Sequence, residues 1–185
     1  MSIILQAADQ MELSPKSRAH LRANMNTHVA VQTLLDAGET QDGLKLLARL
    51  LPKRYAVAWI CQCARDEPLK IEDKAGASLA ESWLREPSED HRRAAFEFSN
   101  AGGYKTLGTW LSATAGWSGG SLAPASQETP VPPADHLTAC AVVASINLLA
   151  ALEPDRFAVR RKAYISRAMT LLDGGSQPAT IKKGG

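Results

Sequence analysis

The chain has 185 residues, 45% of them hydrophobic and 22% charged, with a formal net charge of +2. That length and composition describe one globular domain able to bury a core without staples. The near balance of charge removes any general attraction for nucleic acid or for an anionic membrane.

The N-terminus, Met1-Ser-Ile-Ile-Leu-Gln-Ala-Ala-Asp9, has no basic region and only a short apolar run, so it does not read as a signal peptide. Residues 1–26 read as an N-terminal segment with one short helix, started by Ser14 as cap and Pro15 in the first turn. A helical domain is expected over residues 27–172. Thr27 opens its first helix, with Ala30, Val31, Leu34 and Leu35 as an apolar stripe and Gly38 as the stop. Thr40 is expected to cap the next, in which Leu44, Leu47 and Leu51 face one way, and Pro52 breaks it. A helix around Trp59 follows to about Arg65, and Pro68 separates it from one carrying Ile71, Ala75, Leu79 and Trp83 at intervals of four. Glu86-Pro-Ser-Glu89 signals another start, with Glu86 at the cap, Pro87 in the first turn and Glu89 reaching back to free backbone donors. That helix is expected to turn Ala94, Phe98 and Ala101 inward and to stop at Gly102-Gly103. A further helix, about residues 107–115, carries Trp110.

The composition then changes. Residues 118–136 are rich in proline, glycine and serine and have no helical period, so they read as one long extended strap. A last helix runs from about Arg156 to Leu172, and residues 173–185 read as a disordered polar tail. Two stretches are apolar on every side, residues 55–64 and 137–152, and a helix without a polar face belongs inside a bundle. The second is 16 residues long and contains Ser145 and Asn147. Spanning a bilayer takes about 20 residues, so it reads as a core helix. The expectation is an all-α single compact domain of about eight helices, with two apolar central helices and one proline-rich connection.

The chemistry-bearing residues are sparse. Cys61, Cys63 and Cys140 all lie in the two apolar stretches; an odd number of cysteines in such surroundings favours reduced thiols and a cytoplasmic protein. Cys61 and Cys63 lack the second ligand pair that structural zinc requires. His136 and Cys140, four apart, could form a base–nucleophile pair, but a thiol in an apolar helix is disfavoured as a thiolate. Ser118-Gly-Gly-Ser121 could cradle a phosphate, yet it lacks the lysine and following helix of a P-loop. An enzymatic site, if present, would have to be assembled from distant polar groups such as Glu89, His91, Asp135 and His136. No catalytic residue, cofactor or metal ligand is assigned. The one basic patch is Arg156, Arg160 and Arg167 on the last helix, with Arg161 and Lys162 beside them, suited to an acidic partner or to solvent. Interfaces favour aromatic and arginine anchors, and Trp117, beside the glycine-rich joint, is the tryptophan expected to be exposed.

Several phrases together resemble a bacterial all-helical family, a domain of unknown function met near type VI secretion genes. They are Leu51-Pro-Lys-Arg-Tyr-Ala-Val-Ala-Trp59, Cys61-x-Cys63-x-Arg65, Ala80-Glu-Ser-Trp-Leu-Arg-Glu-Pro-Ser-Glu-Asp-His-Arg-Arg-Ala-Ala95, Trp117-Ser-Gly-Gly-Ser-Leu-Ala-Pro124 and Pro132-Pro-Ala-Asp-His-Leu-Thr138. The resemblance covers about residues 25–170. It implies a cytoplasmic accessory role in secretion, as a non-enzymatic adaptor or co-chaperone joining an effector chaperone, an effector or both. It implies no catalytic residues. Trp117, Arg156, Arg160 and Arg167 are the expected partner-binding residues, with no nucleic-acid or membrane partner. The competing readings are the dispersed-site enzyme and an immunity protein that binds a toxin.

Overall fold

Short polar side chains set where helices begin. In the computed structural model, which describes residues 2–174, Ser14, Asn26, Ser88 and Thr106 each accept a hydrogen bond from the backbone N–H three residues on. The described residues form ten α-helices: α1 (Ile3–Gln10), α2 (Pro15–Ala19), α3 (Thr27–Asp36), α4 (Thr40–Leu50), α5 (Lys53–Arg65), α6 (Ile71–Arg85), α7 (Glu89–Ala101), α8 (Leu107–Gly116), α9 (Leu137–Ala150) and α10 (Phe157–Gly174). A 3-10 turn, Pro154–Arg156, precedes α10. There is no strand among them, and they make one compact all-α body. Of the tail expected at 173–185, Asp173 and Gly174 finish α10, and the rest lies outside the described residues.

The count exceeds the expected eight chiefly because α1 carries no distinctive start signal. Its cap, Ser2, makes no side-chain bond. What holds it is burial: Ile4, Ala7 and Ala8 are almost fully covered, and the helix lies on α4. Ile4, Met11, Leu13 and Leu21 share one buried cluster with Leu47, Trp59 and Ile146, so the N-terminal segment is built into the domain.

Helices α5 and α9 are central, as their composition demands. Trp59 is fully buried and donates its indole N–H to the Tyr164 carbonyl at 2.9 Å, tying α5 to α10. A third helix is more deeply buried than either. In α8 every residue except Trp110 is covered, and it packs against α6, α7 and α9. The sequence hides this because α8 is rich in small and hydroxylated residues. Its hydroxyls are satisfied locally: Ser112 donates to Thr109 O at 3.1 Å and Thr114 to Leu111 O at 2.6 Å. Two glycines admit the close approach. A Cβ on Gly76 of α6 would stand 1.9 Å from the Gly108 carbonyl oxygen of α8. One on Gly116 would stand 2.7 Å from the Phe96 Cα of α7.

The inner faces of α6 and α7 differ from expectation for the same reason. In α6, Ile71 is 84% exposed, Ala75 is also exposed, and the face turned inward is Gly76, Ala80 and Trp83. In α7, Ala94 and Ala101 are exposed and Phe98 is half-buried, while Arg92, Ala95, Phe96 and Ser99 point inward. A buried arginine and serine gave that face a polar look. Ser88, not Glu86, caps α7, and Glu86 ends α6. Thr40 is the first residue of α4 rather than its cap; Glu39 holds that position without a side-chain bond. Among the described residues no single helix is long and apolar enough to cross a membrane; α9 passes that test only together with the following helix, across a bend of 111°.

Candidate partner-binding surface

The strap is fastened at both ends by side chains of the body. Arg92, only 3% exposed, donates through Nη1 to the Gly116 carbonyl at 2.7 Å and through Nη2 to the Ser121 carbonyl at 3.3 Å. Glu89 holds the same guanidinium in a two-pronged bond at 2.7 and 2.6 Å. Those bonds hold the Glu89 carboxyl below the usual carboxylate range, against the opposing effect of burial. Gly120, at φ +63°, lies flat on the guanidinium; a Cβ there would be 2.5 Å from Arg92 Nε. The Ser118–Ser121 turn is therefore packed against Arg92 at Gly120 and Ser121. Arg93 donates to the Ala123 carbonyl at 2.8 Å. Lys53 bridges the two ends, reaching the Ser118 carbonyl at 3.1 Å and Asp135 at 3.6 Å.

Within the strap the chain closes on itself. Leu122 N–H donates to the Val131 carbonyl at 2.8 Å, and Val131 N–H donates to Ser121 Oγ at 2.9 Å. Residues 124–130 are exposed throughout. This is a compact loop with fixed ends, and its root is set by a motif, Glu89-x-x-Arg92-Arg93, that reads as a charged helix face until the buried arginine is located.

At the root of the strap stand three aromatic rings. Tyr104, Trp110 and Trp117 contact one another with ring centroids 5.1 to 5.9 Å apart, the two indoles edge to face at 87°. All three are half-buried. Trp117, expected to be exposed, is thus partly covered by its neighbours. Tyr104 holds φ at +55° directly after Gly103 at +62°. A bulky residue in that region is strained by about 1–3 kcal/mol. The sequence did carry a clue: Trp110 and Trp117 are seven apart and so share a helical face.

The expected basic patch on the last helix is largely committed inside the molecule. Arg160, with a side chain 10% exposed, pairs with Glu67 at 2.8 Å and Glu153 at 2.7 Å, and donates to the Leu149 carbonyl. Tyr164 donates to the other Glu67 oxygen, and burial with that bond pushes its phenol well above the usual range. Arg167 pairs with Asp66 at 2.6 Å. Arg156 lies in the 3-10 turn, ahead of the helix, and its largely exposed guanidinium meets Glu153 at 3.4 Å. Arg161 rests on the Phe157 ring at 4.8 Å and donates to Gln41 at 2.9 Å. Arg160 is therefore a clamp between α10 and the end of α5; within the patch Arg156 and Lys162 are exposed and Arg167 is partly so.

The dispersed polar residues are not gathered. Glu89 serves Arg92, Asp135 serves Lys53, and His91 binds the Glu86 carbonyl through Nδ1 at 2.9 Å. His136 precedes α9 and forms no side-chain cap bond. None of the four lines any of the surface grooves of 630, 270, 380 and 440 Å³. Burial pushes the Cys61 and Cys63 thiols up to about 12 and raises Cys140 as well. Among the described residues no three His, Cys, Asp or Glu side chains converge as a metal site.

A family model described as a family of unknown function (DUF6931) matches residues 30–172, and the chain belongs to that family. No curated protein and no solved structure matches the chain significantly.

Proposed function

We propose that this protein is a cytoplasmic, non-enzymatic adaptor or co-chaperone that binds an effector chaperone, an effector or both, and assists loading of a type VI secretion effector. The observation that carries the binding role is the pairing of a half-buried aromatic trio with a strap whose ends are locked by Arg92, Arg93 and Lys53. Aromatic rings give large contact area at low entropic cost. A loop already fixed at both ends loses little further freedom when it docks. The secretion context is supported by the genomic company of the sequences that this chain resembles, an association rather than a mechanism. Free thiols, two buried and one half-buried, suit the cytoplasm.

The test is co-purification of the tagged full-length chain from a native host that expresses its secretion apparatus. An effector chaperone or effector should be recovered in stable amount. Recovery of neither would sink the proposal.

A further inference from the structure

We propose that the Tyr104–Trp110–Trp117 surface takes the proline-rich strap of a second copy of this chain, so that two copies pair reciprocally. The inference rests on the protein-binding reading of that surface and not on the secretion context.

The chain carries both halves of a recognised kind of contact. Proline-rich segments in an extended left-handed helix dock on aromatic surfaces, because their shape is set before binding. Here the segment is Thr129-Pro130-Val131-Pro132-Pro133. Each proline fixes its own φ and drives the preceding residue to an extended conformation. No helix or turn interrupts residues 130–134. Val131 is tied through both backbone groups to Ser121 and Leu122, so the run is held in place. Pro130, Val131 and Pro132 are nevertheless exposed, Val131 to 46%. That exposed edge is open to a second molecule.

The two halves are close enough to exchange. Trp117 and Ser121 are only four positions apart, a reach of at most about 14 Å. A two-fold axis between copies would place each strap on the other's rings, one self-complementary interface made twice. Charge supports this occupant. Lys105, next to Tyr104, and Glu128, two residues before Pro130, are both exposed and neither makes an ion pair among the described residues. Reciprocal docking brings these two opposite charges together once on each side of the axis.

The experiment is sedimentation equilibrium of the full-length chain over rising concentration, with tryptophan emission followed in parallel. A monomer–dimer equilibrium is expected, and a synthetic peptide of residues 126–134 should shift it toward monomer. Lys105→Glu or Glu128→Lys alone places two like-charge pairs in the dimer and should weaken association about tenfold. The two together should restore it. A chain that stays monomeric, a dimer indifferent to both reversals, or a peptide that binds without any dimer overturns the proposal. Repeating the co-purification with Lys105→Glu separates the two readings, since partner recovery by a monomeric variant would leave the adaptor role standing.

Discussion

Around α4, α5 and α9 the helices are held apart by large aliphatic side chains; around α8 they are drawn together until backbones touch. Leu34, Leu44, Leu46, Leu47, Ile60, Ile146 and Leu149 are fully buried in the first region. The second has only a small apolar cluster, with Val57, Cys61, Ala80, Trp83, Ala95 and Ala115. Its cohesion comes from glycines at the crossings and from hydroxyls bonded across or along helices, such as Ser99 to Ser112 at 2.5 Å. Each region is closed by a buried arginine: Arg160 docks α10 on the large-residue side, and Arg92 docks the strap on the small-residue side. The lesson is that one helical body can use area in one half and proximity in the other.

That contrast can be broken first at the helix crossing. Gly76→Ala drives a methyl into the Gly108 carbonyl, where neither backbone can yield, and should cost about 4 kcal/mol or abolish folding. Ile146→Val, in the aliphatic half, should cost only about 0.5–1.5 kcal/mol. Denaturant unfolding of both variants measures the difference.

The two arginines come next. Arg160→Met leaves the Glu67 carboxylate, 11% exposed, with Tyr164 alone and should cost about 3–5 kcal/mol. Arg92→Met removes the bonds to Gly116 and Ser121 but leaves a Glu89 that solvent reaches, so a loss of about 1–3 kcal/mol is expected. Limited proteolysis should then cut residues 118–136 faster while the body resists. Arg167→Gln, whose partner Asp66 is exposed, should change stability by less than about 1 kcal/mol.

The smallest effect is the acid dependence, and both halves contribute. Burial works against the charged form of Asp42, but bonds from Ser17 and Ser14 and the nearby Lys45 outweigh it and hold the carboxyl low. Glu89 is held low by Arg92. A carboxyl whose folded pKa is depressed contributes stability above its unfolded value and loses it as pH falls through the folded one. Stability should therefore fall from the ordinary carboxylate range downward. Glu89→Gln and Asp42→Asn should each flatten that acid limb in thermal melts across pH.

Residues with unambiguous chemistry were legible in the sequence. The apolar runs of α5 and α9 are mostly interior, although Tyr55, Leu148 and Leu152 reach the surface, and Gly38, Pro52 and the Ser14-Pro15 pair punctuate the chain where the rules place them. What escaped was burial without hydrophobicity. Arg92 and Ser99 turn inward, α8 sits deep on glycine, serine and threonine, and Ile71 stands in solvent. Periodicity weighs side chains by polarity, whereas this half of the molecule selects them by size and by hydrogen bonds that only the tertiary structure supplies. The strap itself was visible as a composition change; its anchors were not, because Arg92, Arg93 and Lys53 lie 24 to 65 residues before the carbonyls they hold. The α10 arginines were noticed, but their carboxylates at Asp66, Glu67 and Glu153 could not be matched to them without the fold.

The bond from the Trp59 indole to the Tyr164 carbonyl spans 105 positions of chain. A ribosome adding about 5–20 residues per second must make another 105 residues after Trp59 before that donor finds its acceptor. Until then the indole has no dry resting place, since a buried N–H without a partner costs about 1–3 kcal/mol. The nascent chain thus stays ajar at its heart until α10 has been made.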